Sequence, residues 1–144
     1  MNKEKVEIVL IEDNPADVEL TLNALKKNNL ENHVKVLTDG EEAVDYLLTT
    51  CDSPGKTGCP HLILLDLKLP KVSGLEVLEK IRSDQRTRMI PVVVLTSSAE
   101  EKDRIESYKL GVNSYIVKPV EFDSFAKVVS QIGFYWLLVN RPPY

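Results

Sequence analysis

Five short apolar runs, separated by stretches with helical periodicity, constrain the fold of this chain more than any other feature. The runs are Val6–Ile11, Val34–Leu37, His61–Leu67, Pro91–Thr96 and Ser114–Val117. Near-continuous apolar runs of this length are typical of strands that are covered on both faces, as in parallel sheets. The sequence therefore predicts a sheet of five parallel strands.

Apolar residues at helical spacing fall between the runs. Asn14 and Pro15 have the residue types of an N-cap and a first helical turn. Further helices are expected after Gly40, after Gly74 and up to Gly111. A fifth helix is indicated by the apolar residues Phe125, Val129, Ile132, Trp136 and Val139. Regular alternation of strand and helix predicts a doubly wound, flavodoxin-like α/β fold with strand order 2-1-3-4-5 and five helices.

The 144 residues suit a single domain over 1–144, with residues 131–144 as an extension of the last helix. A net charge of −4, with basic residues scattered among acids, argues against a nucleic-acid-binding face. No apolar run approaches the length of a membrane span or a secretion signal. We therefore expect a cytoplasmic protein that binds neither nucleic acid nor membrane.

The segment Thr49–Pro60 is rich in Gly, Ser, Thr and Pro, and it predicts a long exposed loop before the third strand. It contains both cysteines, Cys51 and Cys59. In a reducing cytosol, free thiols are favoured over a disulfide. His61 lies nearby, so a metal site formed with the two cysteines is a less favoured alternative.

Acidic side chains follow two of the predicted strands, Glu12 and Asp13 after the first and Asp66 after the third. In a parallel sheet these positions meet at one edge, where three carboxylates repel one another. Mg²⁺ resolves that conflict because it prefers oxygen ligands and retains several waters. We predict a Mg²⁺ site formed by the three carboxylates and the backbone carbonyl of Lys68.

The same edge carries groups suited to phosphoryl chemistry. The Asp66 carboxylate can act as a nucleophile and form an aspartyl-phosphate. Lys118, after the fifth strand, can neutralise charge on the phosphoryl oxygens, and the hydroxyl of Thr96, at the end of the fourth, can donate a hydrogen bond to them. These residues predict phosphoryl acceptance on Asp66.

Taken together, these residues resemble the receiver domain of two-component response regulators over about residues 6–130. The matching motifs, in chain order, are Glu12-Asp13, Asp66 within LLDLKLP, Gly74, Thr96-Ser97 and Lys118-Pro119. The loop before the third strand, the LKLPKVSG turn and the tail GFYWLLVNRPP look most like the stand-alone response regulators of cyanobacterial phytochromes.

The resemblance implies that Asp66 accepts a phosphoryl group from a sensor histidine kinase, for which a phytochrome is the candidate. It also implies that Thr96 and Tyr115 act as a switch behind the site. The chain would then not be an enzyme beyond its own phosphorylation and slow autodephosphorylation. No effector segment is recognisable after the receiver, so we expect the signal to be a changed surface.

The tail predicts a homodimer. Its last helix is apolar all round, and the residues on the side away from the sheet are Phe134, Tyr135, Leu137 and Leu138. A packed extension of the same domain is the alternative.

Two other functions stay open. A phosphatase with an Asp nucleophile usually has a second acid two residues later, where this chain has Lys68. A scaffold that works without phosphorylation would not need the complete acidic set.

Overall fold

Five parallel strands form the centre of the computed structural model, which describes residues 8–27, 34–51, 59–118 and 127. The strands form one sheet in the order β2-β1-β3-β4-β5, which confirms the predicted order. Their bounds are β1 Ile8–Ile11, β2 Val34–Leu37, β3 Leu62–Leu65, β4 Val92–Thr96 and β5 Ser114–Val117.

Four helices connect the strands in the described residues: α1 Pro15–Lys26, α2 Gly40–Thr50, α3 Gly74–Ser83 and α4 Glu101–Lys109. The predicted cap of α1 is confirmed, because the Asn14 side chain accepts hydrogen bonds from the backbone N–H groups of Ala16 and Asp17. Asp39 and Ser73 cap α2 and α3 in the same way. Apart from residue 127, which is helical, the predicted fifth helix lies outside the described residues, and so do the proposed dimer residues of the tail.

The sheet is covered on both faces, and alternate residues of each strand point into two separate cores. On one face, Val9 and Ile11 pack with residues of α2 and α3, including Leu47 and Leu78. On the other face, Ile8 and Leu10 and their sheet neighbours pack with α1 through Ala24 and Leu25. These two cores are what makes the fold doubly wound, and they hold the carboxyl ends of the strands in fixed register.

Cys51 and Cys59 form a disulfide, so the expectation of two free thiols is wrong. Cys51 caps the end of α2 and is buried in the core, and Cys59 lies just before β3. Their Cα atoms are 4.9 Å apart, within the range that a disulfide requires. The fold places the two cysteines next to each other, a proximity that composition does not reveal. With both sulfurs joined, they offer no thiolates for the alternative metal site.

The predicted loop over residues 49–60 begins later than expected, because α2 continues through Thr49 and Thr50. The helical spacing of α2 extends into residues whose types favour loops, and burial of Leu47 and Cys51 favours the extra turn. Among the described residues, no helix is both long and apolar enough to cross a bilayer.

Candidate phosphoacceptor site

The predicted site residues converge at the carboxyl edge of the sheet. Glu12 and Asp13 directly follow β1, Asp66 follows β3, Thr96 ends β4 and Lys118 follows β5. Parallel register places these positions side by side, since β1 pairs with β3, β3 with β4 and β4 with β5. The residues come from positions more than a hundred apart in the chain, and the topology alone brings them together.

Three carboxylates form a cluster suited to a divalent cation. Oxygen atoms of Glu12, Asp13 and Asp66 all lie within 4.8 Å of one another. Glu12 and Asp66 are 1% and 5% exposed, whereas Asp13 is exposed to solvent. Hard oxygen donors, with one side open to water, fit the coordination that Mg²⁺ prefers. The donor set therefore fits the predicted cation.

Lys118 forms hydrogen bonds with two members of the acidic cluster and with Asp17. Its Nζ donates hydrogen bonds to Glu12 Oε1 at 2.5 Å, to Asp17 Oδ2 at 2.8 Å and to Asp66 Oδ2 at 3.2 Å. The contacts with Glu12 and Asp66 fit the predicted role of the lysine. Asp17 was not among the predicted site residues; its place in the first turn of α1, shortly after Glu12 at the end of β1, was the available signal.

Burial and neighbouring charges shift the pKa values of Glu12 and Lys118. Burial raises the pKa of Glu12 to about 7, and the negative charge of Asp66 adds to that effect, although the hydrogen bond from Lys118 opposes it. Burial alone would lower the pKa of Lys118, but its bonds to Asp17 and Glu12 and the charge of Asp66 outweigh burial and raise it. Lys118 therefore stays charged at neutral pH, whereas Glu12 takes up a proton near neutrality.

The backbone fixes Asp66 at the end of β3. Its N–H donates to the carbonyl of Ile11 at 3.0 Å, and the Lys68 N–H donates to Asp66 Oδ1 at 3.2 Å. Gly74 closes the turn with a hydrogen bond from its N–H to the Leu67 carbonyl at 2.8 Å. The Lys68 side chain is exposed, and the metal-binding role of its carbonyl stays a prediction.

Thr96 and Tyr115 are linked through Ser98. Thr96 is fully buried, and its Oγ1 accepts a hydrogen bond from the Ser98 N–H at 3.2 Å. The Tyr115 hydroxyl donates to the Ser98 carbonyl at 2.9 Å, and the guanidinium of Arg104 lies 5.5 Å from the centre of the Tyr115 ring. Ser98 Oγ donates to Asp103 Oδ2 at 2.5 Å, which ties the loop to α4. The predicted switch residues are therefore joined by one loop residue.

Comparison with known proteins gives a consistent result. Residues 8–130 match the family described as the response regulator receiver domain. The probable methanogenesis regulatory protein FilR2 of Methanothrix harundinacea is 42% identical over 94% of this chain and 86% of its own length. Response regulator Rcp1 of Synechocystis is 40% identical over 90% of this chain and 88% of its own.

Solved structures agree with the sequence relatives. The bacteriophytochrome response regulator RtBRR has a TM-score of 0.77 at 51% identity, covering 96% of this chain and 84% of that one. The phosphorylated cyanobacterial phytochrome response regulator RcpA has a TM-score of 0.76 at 39% identity, covering 97% and 99%. The Mn²⁺-bound form of Rcp1 has a TM-score of 0.71 at 37% identity, covering 96% and 99%. With the family match over residues 8–130 and relatives at least 40% identical over at least 90% of the chain, this protein belongs to the response regulator receiver domain family.

Proposed function

We propose that this protein is a phosphorylation switch that accepts a phosphoryl group on Asp66 from a sensor histidine kinase. The observation that carries the proposal is the pair of contacts made by the Asp66 carboxylate: one of its oxygens lies within 4.8 Å of oxygens of Glu12 and Asp13, and its Oδ2 accepts a hydrogen bond from Lys118 Nζ at 3.2 Å. A cation held by the three carboxylates, together with the Lys118 ammonium, would place positive charge near Asp66, which suits a transition state whose charge is spread over phosphoryl oxygens.

In the proposed step, an Asp66 oxygen attacks the phosphorus of a phosphohistidine. The O–P bond forms, the P–N bond breaks, and the histidine nitrogen leaves with the electron pair. Glu12, Asp13 and Asp66 would hold Mg²⁺, which supplies neutralising charge to the phosphoryl oxygens. Lys118 would neutralise the same oxygens from the other side, and the buried Thr96 would turn its hydroxyl toward them. The Mn²⁺-bound structure of Rcp1 supports a divalent cation as cofactor.

Incubation with acetyl phosphate and Mg²⁺ tests the proposal. We expect wild type to gain the mass of one phosphate, and the adduct to be labile to hydroxylamine, as an acyl phosphate is. Asp66→Asn should gain none, and Asp45→Asn, which changes an exposed acid on α2, should behave as wild type. Equal labelling of Asp66→Asn and wild type would refute the assignment of Asp66.

A phytochrome kinase is the proposed partner, because RcpA and RtBRR are described as phytochrome and bacteriophytochrome response regulators. FilR2, with a similar identity, is named for methanogenesis, so likeness alone does not single out a light sensor. Phosphotransfer from a panel of purified kinases distinguishes a phytochrome partner from a kinase that does not sense light. Faster transfer from a kinase that does not sense light would overturn the phytochrome assignment.

We also propose that the chain forms a homodimer through its tail. Homodimerisation through the tail predicts that Phe134→Asp or Leu138→Asp lowers the sedimenting mass, and an unchanged mass in both would count against it.

The proposal that the chain is not a phosphatase predicts negligible turnover of p-nitrophenyl phosphate, and fast turnover would contradict it. We also propose a cytoplasmic location without direct binding to nucleic acid.

A further inference from the structure

The ammonium group of Lys118 has no spare donor in this structure. A lysine ammonium carries three N–H groups. Here they are directed to three carboxylates, on Glu12, Asp17 and Asp66, at 2.5, 2.8 and 3.2 Å. The lysine side chain is 12% exposed. A phosphoryl oxygen that binds Lys118 must therefore displace one of these three acceptors.

Two of the three acceptors also belong to the candidate cation site. Glu12 and Asp66 belong to the cluster of oxygens that fits a divalent cation, and Asp66 is also the proposed nucleophile. Asp17 is the acceptor outside that cluster. When Glu12 binds a cation and Asp66 carries a phosphoryl group, Asp17 is the one of the three carboxylates for which neither group competes with the lysine.

Asp17 is well placed to hold a charge. It lies in the first turn of α1, and its backbone N–H is bonded to the Asn14 side chain at 3.2 Å, so its position is fixed by the cap. An acid in this turn ordinarily serves only the helix dipole. Here its carboxylate instead reaches a lysine 101 positions later in the chain, in a hydrogen bond between charged groups, which is stronger than one between neutral groups.

We infer that Asp17 is a positioning residue that holds the Lys118 ammonium at the edge of the site while Asp66 gains its phosphoryl group. The inference rests on the proposed function and adds to it a residue that acts through the lysine. Without Asp17, Lys118 is shared by Glu12 and Asp66 alone. The lysine then competes more strongly with the cation for those carboxylates and is less well placed for an incoming phosphoryl oxygen.

The rate of phosphorylation by acetyl phosphate at saturating Mg²⁺ tests the inference. We expect Asp17→Ala to lower the rate about tenfold and Asp17→Asn, which keeps an acceptor without charge, about threefold. Asp17→Glu should restore the rate to within about twofold of wild type. Glu19→Gln, at an exposed position of the same helix, should leave it unchanged. Wild-type rates in both Asp17→Ala and Asp17→Asn would overturn the inference.

The effect of Asp17→Ala in Lys118→Ala protein shows whether Asp17 acts through Lys118. In Lys118→Ala protein, the additional change Asp17→Ala should alter the rate by less than about twofold, because residues that act through one contact are not additive. An equal tenfold loss in both backgrounds would overturn the inference. Thermal unfolding of each variant, with Asp17→Asn as the least disruptive change, separates this effect from a loss of folded protein.

Magnesium binding to the unphosphorylated protein gives a readout that does not need phosphorylation. Calorimetry should show about threefold weaker Mg²⁺ binding in Asp17→Ala, and a smaller change when Lys118→Ala is already present. If wild type takes up no phosphate on Asp66, the proposed function fails, and the magnesium titration still decides the inference. Equal losses of affinity in both backgrounds would then overturn it.

Discussion

The hydroxyl of Tyr115, in β5, donates a hydrogen bond to the backbone carbonyl of Ser98, in the loop after β4, at 2.9 Å. The two residues are 17 positions apart in the chain. The N–H of the same serine donates to Thr96 Oγ1, so one loop residue is bound at both ends. Thr96 cannot turn toward a phosphoryl group and keep this contact unchanged. A rotation of Thr96 therefore changes the contacts of Ser98, and through Ser98 it affects the hydrogen bond made by Tyr115.

Tyr115→Phe removes the bond to the Ser98 carbonyl. We expect the free energy of unfolding to fall by about 1 kcal/mol, the usual contribution of one such hydrogen bond. The extent of phosphorylation should be unchanged, but amide exchange in the loop between β4 and α4 should no longer depend on phosphorylation. Tyr108→Phe, on the exposed side of α4, is the control. A loop whose exchange still responds normally in Tyr115→Phe would contradict the predicted switch.

Magnesium affinity should depend on pH through Glu12. Burial raises the pKa of this carboxyl to about 7, and a carboxylate must lose its proton to bind the cation. Lowering the pH from about 8 to about 6 should therefore weaken Mg²⁺ binding about tenfold. Calorimetry in buffers of different ionisation enthalpy would detect the released proton. Glu12→Gln should bind more weakly and lose most of this pH dependence; an equally steep dependence in the variant would point to another group.

Gly74 is close-packed against the segment that bears the phosphoacceptor. A Cβ atom there would lie 2.3 Å from the Leu67 Cα and 2.4 Å from the Asp66 carbonyl oxygen, both backbone atoms that cannot move aside alone. Gly74→Ala should lower the free energy of unfolding by about 2 kcal/mol and slow phosphorylation by displacing Asp66. Urea unfolding measures the first effect. Ser83→Ala, at the exposed end of α3, is the matched control, and similar stability of the two variants would refute the clash.

Reduction of the disulfide should destabilise the fold. The bond closes a loop across a separation of eight residues, so its removal should cost about 2–3 kcal/mol in the free energy of unfolding. Urea unfolding with and without dithiothreitol measures this cost. The double variant Cys51→Ala, Cys59→Ala should be destabilised and insensitive to the reductant. A wild-type transition that dithiothreitol does not shift would show that the bond is not formed in solution.

The strands and the acidic edge could be predicted because they depend on local patterns and one topological rule. Apolar runs mark the strands, and parallel register brings Glu12, Asp66 and Lys118 to the same edge. The cap at Asn14 followed from residue type and position. The strands and the cap are encoded within a few residues of where they appear, and the acidic edge follows from the order of the strands.

Other contacts depend on distances that no local pattern encodes. Asp17 has the residue type and position of an ordinary acid of a helix start, and its bond to Lys118 requires a long side chain that reaches it from the residue after β5. The Cys51–Cys59 pair was judged by compartment, whereas the distance of 4.9 Å between their Cα atoms in the fold decides it. Ser98 carries no motif, because its backbone atoms make the contacts with Thr96 and Tyr115.

The three-way contact of Lys118 also has a consequence for synthesis on the ribosome. Its partners Glu12 and Asp17 are made 106 and 101 residues before it, and Asp66 is made 52 residues before it. Until β5 emerges, these acids face one another without the lysine that neutralises them. The docking of β5 is thus favoured by charge as well as by apolar packing.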